Sequence, residues 1–117
     1  MKPEIKQMWV DALRSGEFEQ ADGQLRDDGR YCCLGVLCEL HRRYTNTGRW
    51  LATSTYQPAP RALGASADLP EGVQEWAGLE SEDPVVRPKA RNGRTLSELN
   101  DTPWSFKRIA KIIEERL

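Results

Sequence analysis

The chain has 117 residues and a formal net charge of −1, so its overall charge does not draw it toward nucleic acid or an anionic membrane. Hydrophobic residues make up 38% and charged residues 30%, which fits one soluble domain with a modest core and a heavily solvated surface. No apolar run approaches the ~20 residues that a helical membrane span requires.

The opening stretch, MKPEIKQMWVDALRSG, is charged and amphipathic, unlike a secretory signal. The expected setting is therefore the cytoplasm, where thiols stay reduced and three cysteines need no partners. Ile5, Met8, Trp9, Ala12 and Leu13 recur at helical spacing, which predicts a helix over residues 3–15. Pro3 fits its first turn, and Ser15-Gly16 fits its stop. In GEFEQADGQLRDDGRYC, Asp28-Gly29 sits between short segments that can pair as a hairpin.

The next segment, GRYCCLGVLCELH, gathers three cysteines and the only histidine. Cys33, Cys38 and His41 have the spacing C-x4-C-x2-H, with Cys32 as a fourth donor. A structural zinc site usually draws two ligand pairs from separate segments, and no second pair exists here. Free cysteine behaves as a small hydrophobe, and the apolar content of YCCLGVLCEL predicts a core helix with no metal and no cofactor. On it Cys33, Leu37, Leu40 and Tyr44 share one side, Leu34 and Cys38 the adjacent one, while Glu39, Arg42 and Arg43 face water. His41 falls at the polar end. Gly35 lets another element approach closely, at a cost of about 1 kcal/mol relative to alanine.

From Thr45 to Asp68 no periodicity is evident, so residues 45–68 are expected to be a long irregular segment, a kind of connection that usually carries function or mobility. LPEGVQEWAGL then reads as a short helix with Val73, Trp76 and Ala77 inward and Gly78 as its stop. Asn92-Gly93 is a strong hairpin turn between VVRPKAR and RTL. Thr95 and Glu98 match a capping box that opens a further turn of helix. Ser105 caps a last helix striped by Phe106, Ile109, Ala110, Ile113 and Leu117. The expected fold is a small α+β single domain over 1–117, with three or four helices around one core and one or two short β-hairpins.

Taken in order, WVDALRSG, YCCLGVLCEL, LPEGVQEWAGL and LSELND followed by SFKRIAKIIEERL resemble a family of short, uncharacterised proteins encoded by bacteriophages and prophages. CCLGVLC is the most specific part. The chain departs from that pattern at Thr102-Pro103-Trp104, which is expected to place an exposed aromatic there. The resemblance implies a phage accessory protein inside a bacterium, of the kind that modulates host enzymes or counters host defences, with no catalytic residues to carry over.

Two surfaces are candidates for binding. In VVRPKARNGR, residues Arg87, Lys89 and Arg91 share one face of an extended strand and Arg94 follows the turn, making an anion-binding ribbon. Protection of an edge strand from mispairing explains the same residues. Arg49, Trp50 and Tyr56, with Trp104 elsewhere, are the residue types of interface hot spots and nucleobase stacking. A tryptophan that pins a long loop to the core is the plainer explanation of Trp50. Twelve of the seventeen basic residues are arginine, which suits phosphate or carboxylate, although a GC-rich genome gives the same bias. Asn100 and Asp101 could contact a polar ligand, but a helix-ending turn accounts for both. SFKRIAKII resembles the opening helix of a helix-turn-helix domain, yet no recognition helix follows, so sequence-specific DNA binding is not expected. The expected function is binding of a host or defence protein, or sequestration of a small nucleotide signal, the latter with a homo-oligomer that forms pockets between subunits. The competing reading is a small hydrolase using carboxylates that the sequence does not identify.

Overall fold

A computed structural model describes residues 1–87, 94–102 and 104–117, and of Arg87 its backbone alone. In chain order the elements are α1 (Pro3–Arg14), β1 (Arg26–Asp27), β2 (Arg30–Tyr31), α2 (Cys33–Thr45), β3 (Arg49–Leu51), β4 (Thr55–Gln57), α3 (Glu71–Ala77), β5 (Val85–Arg87), β6 (Arg94–Thr95), α4 (Leu96–Asp101) and α5 (Phe106–Arg116). The class is α+β. The described residues hold five helices and three antiparallel strand pairs, one more of each than expected.

Side chains from Ile5 to Ile113 form one apolar core around α2, which is buried from Cys33 through His41. Helix α1 lays Ile5, Trp9, Val10 and Leu13 on it, and the Trp9 indole N–H donates to the Cys33 carbonyl at 2.9 Å. Helix α5 packs along α1 through Ile109, Ala110 and Ile113, and an Arg14–Glu114 ion pair of 3.1 Å closes that seam at the surface. The start of α1 is tied to the end of α3 by the bond from Lys2 N–H to the Ala77 carbonyl.

The local signals act as the chemistry predicts. Asp28 and Gly29 both have positive φ, +50° and +78°, the paired left-handed turn that joins β1 to β2. The Thr95 hydroxyl accepts the Glu98 N–H at the start of α4, and the Ser105 hydroxyl accepts the Arg108 N–H at the start of α5. Gly35 faces the backbone of Leu25, and a Cβ there would lie 1.7 Å from the Leu25 carbonyl oxygen.

Four expectations are corrected. The segment 45–68 is not irregular throughout, because Arg49–Leu51 and Thr55–Gln57 pair as a hairpin, with Trp50 opposite Tyr56. Glu39, expected in water, is 4% exposed because that hairpin folds over it. His41, expected at a polar end, is 5% exposed, since Tyr56 and Trp76 pack against its ring. Tyr44, expected inside, is 65% exposed. The apolar side of α2 ends at Leu40, one turn before it.

Candidate functional site

The polar end of α2 and the β3–β4 hairpin build the most elaborate side-chain cluster among the described residues. Glu39 accepts two hydrogen bonds from Arg42 (2.7 and 2.6 Å), one from Arg43 (3.0 Å) and one from the Trp50 indole N–H (3.0 Å). Burial alone would raise the pKa of the Glu39 carboxyl. The bonds from Arg42, Trp50 and Arg43 outweigh it and hold the group below its ordinary value. Arg43 also reaches Glu17 at 2.7 Å. The Arg26 guanidinium lies over the Trp50 ring at 4.6 Å and donates to the carbonyls of Thr53 and Ala52. Edge-on and tilted contacts run from Phe18 through Tyr31, Trp50, Tyr56 and His41 to Trp76, with ring centroids 5.0–5.9 Å apart.

This cluster separates residues that the sequence placed together. Successive strand residues point to opposite faces, so Trp50 and Tyr56 look inward while Arg49 and Gln57, paired across the hairpin, look outward. Tyr56 is fully buried and Trp50 is partly buried against the core. Neither offers an open ring to a partner, which leaves Arg49 as the outward member of the trio. Trp104, expected to be exposed, is partly buried, with the Arg108 guanidinium 3.7 Å over its ring. In the basic ribbon, Arg87 and Arg94 are opposite in the β5–β6 register, and Arg94 is half-buried. Lys89 and Arg91 lie outside the described residues.

The reactive residue types are sealed away. Burial pushes the Cys32 thiol up to about 11 and those of Cys33 and Cys38 well above the ordinary range. His41 is held below its ordinary value by burial, and its Nδ1 shares a 2.7 Å hydrogen bond with the Tyr56 hydroxyl. Among the described residues, no three His, Cys, Asp or Glu side chains gather as metal ligands, and no helix is long and apolar enough to cross a membrane.

A surface cavity of about 300 Å³ lies between the β1–β2 hairpin and α4, lined by Gln20, Ala21, Asp22, Asp27, Arg30 and Asn100. Asn100 is 1% exposed and makes only internal bonds. Its carbonyl oxygen accepts from the Gln20 amide and the Cys33 N–H, and its amide donates to the Ala21 carbonyl and to Asp101. Its role is to tie three segments together, and Asp101 caps the Gly23 N–H. Arg30 pairs with Asp27 at 3.8 Å, so Asp22 is the one lining charge without an opposite charge from the same lining, and the cavity has no surplus of positive charge for a phosphate.

Sequence reasoning missed Arg26 and Tyr31 as members of this cluster and placed Glu39 in water. The alternation in RWL and TYQ was a signal for the hairpin that creates this cluster, but each run is only three residues long. No curated protein and no solved structure matches the chain. A family described as a domain of unknown function (DUF8296) matches residues 1–117, and the chain belongs to that family.

Proposed function

We propose that the protein is a phage or prophage accessory protein that acts in the bacterial cytoplasm by binding a host or defence component, without catalysing a reaction. One observation carries this reading. The three cysteines and the histidine, the side chains best suited to nucleophilic or neutral-pH acid–base chemistry, are used as core, while arginines stand on the outside. Within the anti-defence setting, a protein target is favoured over a small nucleotide, because the charges lining the cavity beside α4 are Asp22 and the Asp27–Arg30 pair, with no surplus of positive charge to hold a phosphate.

Affinity capture from infected host lysate, with mass spectrometry of proteins and small molecules, tests the proposal. A host or defence protein is expected at near-stoichiometric yield. A nucleotide recovered instead, with a thermal shift from that nucleotide alone, would move the function to sequestration. Turnover of a substrate that is lost in Asp22→Asn or Asp27→Asn would move it to hydrolysis.

A further inference from the structure

We propose that the outward side of the β3–β4 hairpin, with the loop 58–65 beside it, is a protein-docking surface anchored by Leu63, and that its partner presents an apolar pocket rimmed by carboxylates. This rests on the binding function proposed above and names the surface and the partner's chemistry.

Leu63 is 89% exposed, more than Tyr44 at 65% or Val85 at 52%. The loop that presents it is firmly held. Tyr56 and Ala65 exchange two backbone hydrogen bonds of 2.8 and 3.1 Å, so the returning chain adds to the edge of β4. Within the loop, the Ala62 N–H donates to the Ala59 carbonyl, and the Thr47 hydroxyl donates to that of Pro58. The Gln57 amide donates to the Ala62 carbonyl at 3.1 Å. Between these ties Arg61 sits at φ +68°, a left-handed conformation that a non-glycine residue adopts only when its surroundings impose it. A large apolar side chain on a preorganised loop loses little conformational freedom when it enters a pocket.

Charge identifies the rim. The Arg49 Nε–H donates to the Gln57 side-chain oxygen at 3.0 Å, and the same amide holds the Ala62 carbonyl, so Arg49 stands beside the loop that carries Arg61. Residues 40–67 contain no Asp or Glu, so all eighteen acidic residues of the chain lie outside this stretch. Carboxylates of a partner therefore meet Arg49 and Arg61 without a competing acid from the same segment. The anchor also selects the class of partner. Leucine offers no π face to a nucleobase, and the aromatics that would stack, Trp50 and Tyr56, face the interior.

The test places a photo-crosslinking benzoylphenylalanine at position 63 of the full chain, expressed in the host bacterium. Exposed positions 7 and 115 serve as controls, with 26 and 108 as further probes. A protein adduct is expected from 63 and not from 7 or 115, and Arg49→Glu with Arg61→Glu should reduce it. The captured protein, once purified, should bind Leu63→Asp and Leu63→Ala at least about tenfold more weakly than the wild type, with wild-type binding weakening as salt rises. Leu63→Asp should melt at the wild-type temperature; if it does not, Leu63→Ala carries the comparison. No protein adduct at 63, transfer to nucleic acid, or equal affinity of both Leu63 variants overturns the proposal. Adducts from 26 or 108 alone remove this surface and leave the binding function standing. No adduct from any position removes both.

Discussion

The Trp50 indole N–H donates to the buried Glu39 carboxylate at 3.0 Å, and this bond joins the β3–β4 hairpin to the helix beneath it. Glu39→Gln keeps an acceptor for the indole but leaves Arg42 and Arg43 without a counter-charge. Trp50→Phe keeps most of the bulk and removes the donor. Each should destabilise by about 1–3 kcal/mol, and the double variant by less than the sum, because the two share one network. Urea denaturation at pH 7 measures all three. The Glu39 carboxyl is held below its ordinary value of 4.5 in the fold. Its contribution is therefore complete above that value and is lost as pH falls through the folded value. Glu39→Gln should flatten the acid limb of the stability curve.

His41 supplies a second pH test, of the same sign but in a higher pH window. Burial lowers its pKa from 6.5, so below that value the unfolded chain takes up a proton that the folded chain refuses. Stability should fall as pH drops from about 6.5 toward the folded value. Melting temperatures between pH 8 and 5 should show this loss in the wild type, and His41→Phe should remove that part of the slope.

Gly35→Ala isolates close packing from helix propensity. Alanine gains about 1 kcal/mol in a helix interior, yet its Cβ would meet the Leu25 carbonyl oxygen at 1.7 Å. That oxygen also accepts the Cys32 N–H, so it cannot move without breaking the bond that starts α2. A net loss of about 3 kcal/mol or more is expected from overpacking. Equal or higher stability by denaturation would refute the packing argument.

The two innermost cysteines should differ when changed to serine. The Cys33 thiol points at the Leu96 carbonyl at 3.6 Å, so a serine hydroxyl has an acceptor within reach. Cys38 is fully buried among apolar side chains. Cys38→Ser should cost about 1–3 kcal/mol and Cys33→Ser less. In the native protein at pH 8 none of the three thiols should react with a disulfide reagent, since burial raises all three. Full reaction should follow in denaturant.

Much of this fold was legible in the sequence because its helices carry strong local marks. Pro3 and the Asp28-Gly29 turn act through local backbone conformation, and Ser105 and Thr95 through cap bonds made three residues away. The candidate cluster was not legible, because its decisive contacts join residues distant in the chain. Glu39 reads as a solvated helix position until Trp50 arrives, and His41 reads as a polar terminus until Tyr56 and Trp76 cover it. Arg49, Trp50 and Tyr56 stand out in the sequence as residue types, but assigning their faces required the hairpin register. The loop that carries Leu63 depends on a left-handed arginine, a conformation that no residue type announces.

The contacts of Asn100 also predict an order of events during synthesis. Its amide closes on Gln20, Ala21 and Cys33, which precede it by 80, 79 and 67 residues. The apolar side of α1 waits still longer, for α5 and for Glu114. A ribosome that has released only the first ninety or so residues therefore holds a chain with Trp9 and Leu13 lacking their last partners. Contacts this distant are slow to form because the intervening loop must close first. Arrested nascent chains ending before Asn100 should be cut readily by protease, while chains released past Leu117 should resist. If the shorter chains resist equally, the amide clasp is a late ornament to a fold that is already complete.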